Sequence, residues 1–252
     1  MRQLLKNIAY KMLKPLGFDL PRKGMRTSMY GVLDQVIKFG FQPETIIDVG
    51  VAYGTFELYE KFPQANFLLV EPLSEYEENL KEICRKYKGQ YVLAGAGAEP
   101  GTLTINVHPQ LYGSSTLKES EGSIADGVPR EIAVVTVDDL CREKNLKTPY
   151  LLKVDVQGAE LNVLDGSRKS LEDTEMIILE VSMFEFYLGG PQFYDVVNYM
   201  KERGFVVYDI FGGYIRPLDG ALAQVDMVFV KESGQFRKSN FFASPDQRKQ
   251  LV

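Results

Sequence analysis

Thr45 to Gly54 reads Thr-Ile-Ile-Asp-Val-Gly-Val-Ala-Tyr-Gly, and a second apolar run, Asn66 to Val70, ends in Glu71-Pro72. Gly50 and Gly54 allow a sharp turn of the backbone beside a ligand. Glu71 follows Gly50 by about 21 residues, the offset at which α/β nucleotide folds set an acid over ribose hydroxyls. A dinucleotide site wants a second glycine where Ala52 stands, to admit a pyrophosphate to a helix N-terminus. Asp48, at the strand tip, would repel phosphate and suits a cation. These residues predict a nucleoside site for S-adenosylmethionine, which carries a sulfonium, an ammonium and no phosphate. The bland alternative is a structural turn beside an ordinary acidic strand end.

Two further carboxylates end apolar runs. Asp155 follows Tyr150 to Val154, and Glu180 follows Met176 to Leu179. Ligands of open α/β sheets sit outside the carboxyl ends of the strands, at the point where strand order reverses. Asp155 is read as the leading catalytic group, which orients an acceptor, takes its proton or binds a divalent ion. Glu180 is read as a second carboxylate, completing an oxygen-ligand Mg²⁺ site or accepting a hydrogen bond from substrate. His108 is the single histidine. It is either a base at the edge of a loop or a turn residue before Pro109, and its solitude excludes a multi-histidine metal site within one chain. Asp138 is a candidate N-cap for the helix through Leu140, and Glu160 falls in a helix's first turn.

These groups need a scaffold, and the apolar runs outline one. A helix is predicted over Met29 to Phe39. Strands follow at about Thr45 to Val49, Asn66 to Val70, Tyr91 to Ala94, Tyr150 to Val156, Met176 to Val181, Phe205 to Ile210 and Ala223 to Val230, most of them separated by helical runs such as Tyr76 to Tyr87 and Phe193 to Arg203. The alternation predicts a Rossmann-like, doubly wound α/β sheet, mostly parallel. The last strand follows the Gly212-Gly213 turn too closely for a crossover helix, so it must run antiparallel to its predecessor. The domain spans 45–232, after an N-terminal helical segment at 1–44 and before a polar tail at 233–252. An insertion at about 99–149 holds hairpin strands at Leu103 to Val107 and Ile132 to Val137, with Gln110 to Arg130 read as a mobile loop or lid.

Composition narrows the class. The chain has 252 residues, 45% hydrophobic, with a net charge of -5, which suits one domain and disfavours nucleic acid as partner. Cys84 and Cys141 show neither disulfide nor zinc spacing, and a cytoplasmic location is the default. No apolar run reaches the roughly 18 residues of a membrane span. Residues 1–23 set Arg2, Lys6, Lys11 and Lys14 against Leu4, Leu5, Ile8 and Met12 at helical spacing. Such a helix packs on the domain or on a mate in a homo-oligomer, or contacts an anionic membrane surface.

The runs Asp48-Val-Gly-Val-Ala-Tyr-Gly54, Glu71-Pro72, Ser114-Ser-Thr-Leu117, Val135-Thr-Val-Asp138, Leu152-Lys-Val-Asp-Val-Gln-Gly-Ala-Glu160, Ile178-Leu-Glu-Val181 and Gly204-Phe205 together resemble the FkbM-type methyltransferases. The Asp155 to Glu160 run is the most specific of them. The resemblance implies an S-adenosylmethionine-dependent O-methyltransferase with a methyltransferase sheet, acting on a hydroxyl of a sugar, glycan or secondary metabolite. It implies cofactor roles for Asp48, Gly50, Tyr53, Gly54, Glu71, Pro72 and Ala96, with Tyr53 an unusual bulk in the glycine loop. Methyl transfer is an in-line displacement, so alignment of the acceptor oxygen at about 3 Å supplies much of the rate. A sugar hydroxyl is weakly acidic, so a base or a metal must assist. Met183 to Gly190 is an aromatic candidate wall for the acceptor, and Ser114 and Ser115 are candidate hydrogen-bond donors. The competing readings are a noncatalytic nucleoside-binding module of a glycan system and, more remotely, a nucleic-acid methyltransferase.

Overall fold

The computed structural model describes residues 26–122 and 126–249. The basic segment read at 1–23, with its oligomer and membrane contacts, lies outside the described residues. No helix among the described residues is long and apolar enough to cross a membrane.

Seven strands form the main sheet: β1 (Thr45–Val49), β2 (Asn66–Val70), β3 (Gly89–Val92), β7 (Tyr150–Val154), β8 (Thr174–Ser182), β9 (Phe205–Ile215) and β10 (Leu222–Lys231), in the order β3-β2-β1-β7-β8-β10-β9. Three short strands, β4 (Gly95–Ala96), β5 (Gly101–Val107) and β6 (Val128–Val135), form a second sheet ordered β4-β6-β5. β1 is buried along its whole length, because it lies between parallel neighbours with helices on both faces. Its residues alternate between two cores. Ile47 and Val49 pack with α4 (Val137–Glu143), α5 (Glu160–Asp165) and α6 (Phe193–Glu202) through Leu140, Val163 and Met200. Ile46 packs with α1 (Met29–Lys38), α2 (Phe56–Lys61) and α3 (Glu77–Lys86) through Val36, Leu58 and Leu80.

The strand order reverses between β1 and β7, so a crevice opens beyond their carboxyl ends. β10 runs antiparallel to both β8 and β9 and lies between them; the expected turn at Gly212-Gly213 is instead part of β9, and the short connection to β10 is residues 216–221. The sheet is mostly parallel and doubly wound, with antiparallel pairing at the β8-β10-β9 edge, as expected.

Several boundaries differ from expectation: β3 is Gly89–Val92, β7 ends at Val154, β9 runs on to Ile215, and β6 is shifted at both ends. Val128 to Glu131 belong to β6 although they read as loop; they are exposed and lack apolar alternation. They are strand because Thr104 to Val107 pair with them across the hairpin, from Thr104↔Glu131 to Val107↔Val128. β6 then stops at Val135, because Thr136 caps α4 by accepting a hydrogen bond from Asp139 N at 3.0 Å. Asp138 is therefore not the cap; its carboxylate accepts from Ser170 N and Oγ at 2.7 and 2.6 Å and ties α4 to the turn before β8.

The loop between β5 and β6 is bridged back to β5 at Asn106–Ser115 and to the segment after β8 at Glu119–Tyr187. The C-terminal segment begins against the body, where the Phe236 ring meets Phe41 edge-on at 5.7 Å. It then runs exposed through α7 (Pro245–Lys249).

Candidate active site

A cavity of about 660 Å³ occupies the crevice, floored by the ends of β1, β2 and β7 and roofed by the small sheet. Its volume lies in the range of small-molecule sites. Gly50, Glu71, Pro72, Ala96, Asp155 and Glu180 all line it.

Gly50 has φ +75, and a Cβ there would stand 1.7 Å from the Asp155 carbonyl oxygen. Only glycine lets the turn after β1 pass this close to the turn after β7. Glu71 is 4% exposed; its carboxylate accepts from Ala52 N at 2.9 Å and from Leu73 N at 3.0 Å. Burial raises its pKa, against the pull of those two N–H groups. The buried acid is thus held by the turn it follows, and each oxygen keeps a lone pair for a ligand hydroxyl.

Asp48 lies elsewhere. On β1 it shares the face of Ile46, is fully buried, and does not line the cavity. Tyr59 OH donates to its Oδ2 at 2.6 Å, and Lys153 Nζ stands 3.3 Å from its Oδ1. The expected direct contact with a cationic ligand is corrected to a buried ion pair beneath the floor. Asp48 and Lys153 are register partners on adjacent strands, which sets the pair. Lys153 Nζ also donates to Gly50 O at 2.8 Å and approaches Asp155 Oδ2 at 3.5 Å. Burial disfavours its charge, but Asp48 and then Asp155 outweigh this and raise its pKa. One cation thereby joins both turns.

Tyr53 and Gly54 also fall outside the lining. Tyr53 is 57% exposed, its ring edge-on to Tyr76 at 5.0 Å. Gly54 has φ +112 and packs where a Cβ would meet Ile83 Cδ1 at 2.8 Å, so it shapes the turn. His108 is a turn residue: its Nδ1 accepts from Gln110 N at 3.1 Å and its backbone N–H donates to Ser114 Oγ at 3.0 Å. The reading of His108 as a base over the crevice is not supported, because it does not line the cavity.

The catalytic candidates do converge. Gln157 Nε2 donates to Asp155 Oδ1 and to Glu180 Oε2, both at 2.9 Å, and so bridges the two carboxylates. Gln224 Nε2, from β10, donates to the same Glu180 oxygen at 2.9 Å. Tyr187 OH donates to Gln157 Oε1 at 3.2 Å, and Ser115 Oγ donates to Gln157 O at 2.6 Å. Gln157 has φ +57, a costly conformation for a side-chain-bearing residue, retained here by this surround. Glu160, 4% exposed, accepts from Gly158 N at 3.0 Å in the first turn of α5.

Burial first, then Asp155, Glu160 and Asp226, pushes the Glu180 pKa up to about 8. Burial likewise lifts Glu160 to about 7 and, with Asp155, lifts Asp226 to about 6. Such shifts cluster where proton transfer is done. The Mg²⁺ site expected of Asp155 and Glu180 finds no support. The Gln157 amide fills the position between them, and among the described residues no group of three or more His, Cys, Asp or Glu is set to hold a metal.

From sequence, Lys153, Gln157 and Gln224 have no role of their own, and Tyr187 is placed only within the aromatic wall at Met183 to Gly190. Lys153 and Gln157 flank Asp155 in the specific run, so a buried lysine facing the end of β1 is the signal available there. The roles of Tyr187 and Gln224 arise only from tertiary approach.

The residues present fit S-adenosylmethionine. Glu71 suits ribose hydroxyls, apolar walls at Leu73, Ile105 and Ile132 suit a base, and the Asp155–Glu180 end suits a cationic centre. Residues 48–207 match the Methyltransferase FkbM domain. "Methyltransferase 1" of Beauveria bassiana is 31% identical over 184 residues, 64% of this chain and 72% of that protein. "Methyltransferase sdnD" of Sordaria araneosa is 30% identical over 48% of this chain and 59% of its own length. "Hexuronic acid methyltransferase AglP" of Haloferax volcanii is 25% identical over 56% of each. The matching segment thus spans little more than half of the last two. The chain belongs to the FkbM methyltransferase family and is an S-adenosylmethionine-dependent methyltransferase.

Proposed function

We propose that the chain methylates a hydroxyl oxygen of a sugar, glycan or hydroxylated secondary metabolite. The observation that carries this reading is the Asp155–Gln157–Glu180 bridge in the same cavity as Glu71. The hexuronic acid named for the Haloferax volcanii relative supports a sugar-like acceptor.

Bound S-adenosylmethionine supplies an electrophilic methyl group on a sulfonium. The protein's task is to orient the acceptor hydroxyl, exclude water and take up one proton. Asp155 has both oxygens engaged, Oδ1 by Gln157 and Oδ2 by Lys153. Glu180 receives both of its amide donors on Oε2, and among the described residues Oε1 has no hydrogen bond. Glu180 Oε1 is therefore the proton acceptor and Asp155 the group that orients the hydroxyl. This reverses their order of importance as read from sequence. A carboxylate lifted to about 8 is a stronger base than an ordinary one, and its ionised fraction, about a tenth at pH 7, grows as pH rises toward 8. The small sheet and the loop carrying Ser115 close the cavity from above.

Transfer of labelled methyl from S-adenosylmethionine to a panel of neutral hexosides, the matching hexuronates, amines and thiols tests the acceptor class. Label on hydroxyl-bearing sugars, lost with Glu71→Ala, is expected. Label on amines or thiols alone would overturn the oxygen assignment.

A further inference from the structure

Tyr76 closes the 3₁₀ turn Ser74–Tyr76 that follows Glu71-Pro72, and it lines the cavity beside Glu71 and Leu73. The residue is 2% exposed, and its hydroxyl oxygen is buried without a hydrogen-bond partner among the described residues. Around it pack Leu73 from the floor and Ile105 and Ile132 from the roof, with the Tyr53 ring edge-on at 5.0 Å. Among the described residues none of these neighbours hydrogen-bonds the hydroxyl. A buried, unpaired hydroxyl costs roughly 1 to 3 kcal/mol, so an acceptor is missing, and because Tyr76 borders the cavity a bound ligand can supply one once the side chain turns toward it. Burial lifts its pKa to about 12, which keeps the phenol a neutral donor throughout the working range.

The chemistry of that partner follows from the wall. Glu71 already offers a carboxylate to ribose hydroxyls, whereas Leu73, Ile105 and Ile132, packed with Tyr76, are apolar and accept a flat ring. Heteroaromatic bases combine such a face with in-plane nitrogens that accept hydrogen bonds. We propose that Tyr76 reads the adenine of the bound cofactor by donating its hydroxyl to a ring nitrogen. The inference deepens the cofactor reading and rests on it.

The test is calorimetry on the full chain with S-adenosylhomocysteine and its 1-deaza, 3-deaza and 7-deaza analogues, for the wild type and Tyr76→Phe. Tyr76→Phe should weaken S-adenosylhomocysteine about 3- to 12-fold. One of the three analogues should lose a similar factor on the wild type and lose nothing further on the variant. The thermal midpoint of ligand-free Tyr76→Phe should not fall, because the deleted hydroxyl had no partner to lose. A purely structural tyrosine would instead lower the midpoint and leave affinity unchanged, which overturns the proposal. So do three analogues that all bind the wild type as S-adenosylhomocysteine does, and that arm decides the matter even if the variant fails to fold. A wild type that binds no S-adenosylhomocysteine refutes the cofactor reading itself and takes this inference with it.

Discussion

Ser115 Oγ donates a 2.6 Å hydrogen bond to the carbonyl of Gln157, across 42 residues of sequence. The same oxygen accepts from Leu117 N at 3.0 Å, so Ser115 is fixed in its loop while it holds the turn after β7. Gln157 in turn spans Asp155 and Glu180. The loop over the cavity and the carboxylates within it are therefore one connected assembly.

Ser115→Ala should release Gln157 from its left-handed conformation and let the carboxylates separate. The expected result is a fall in kcat of about 10- to 100-fold, a stability loss of about 1 to 2 kcal/mol, and an affinity for S-adenosylhomocysteine changed by less than about threefold. Steady-state kinetics with calorimetry checks this. An unchanged kcat would show that the roof does not position the carboxylates.

Gly50→Ala places a methyl group where the Asp155 carbonyl stands, at a backbone φ of +75. No side chain is available to yield, so the two turns must part. Loss of detectable S-adenosylhomocysteine binding and destabilisation of more than about 3 kcal/mol are expected. Chemical denaturation and calorimetry read both.

Lys153→Met keeps the aliphatic stem and removes the charge. Asp48, fully buried, would lose its cation and keep one Tyr59 hydrogen bond. Stripping one partner from a buried pair costs about 3 to 5 kcal/mol. The double change Lys153→Met with Asp48→Asn should recover part of that loss, and no recovery would show that the pair is not the source.

Much of this scaffold is legible in the sequence. β1 and β2 are readable almost to the residue because strands buried on both faces are continuous apolar runs, and β10 is antiparallel for want of room for a crossover. The first half of β6 is not legible: Val128 to Glu131 are exposed and owe their strand to pairing alone. Asp48 is misread because a carboxylate at a strand tip looks like a ligand contact; alternation along β1 turns it away from the cavity and toward Tyr59. The partner Lys153 stands at the matching position of β7, but that registry exists only once the strands are paired. The Glu180 environment depends on Gln157 from the turn after β7 and on Gln224 and Asp226 from β10, two segments far apart in sequence.

The buried acids also fix how stability varies with pH. Glu180, Glu160 and Asp226 have folded values of about 8, 7 and 6, above their ordinary values of 4.5, 4.5 and 3.8. Between roughly pH 4 and 8 the folded chain thus holds more protons than the unfolded chain, and stability falls as pH rises through that window. Lys153 adds no slope there, because its raised pKa contributes stability that is fully present below its ordinary 10.5. Thermal midpoints should drop by several degrees from pH 6 to 8.5, roughly. Glu180→Gln should flatten the decline, and an equal decline in the variant would place the titration elsewhere.

The most direct test of Glu180 as proton acceptor is the pH profile of kcat for wild type and Glu180→Gln on one hydroxyl acceptor, with S-adenosylhomocysteine affinity measured alongside. Wild-type kcat should rise tenfold per pH unit and level off near pH 8, roughly. Glu180→Gln should lose that limb and about 10²- to 10⁴-fold in kcat while binding S-adenosylhomocysteine within about threefold of wild type. A variant that keeps the wild-type profile and turnover would contradict the account.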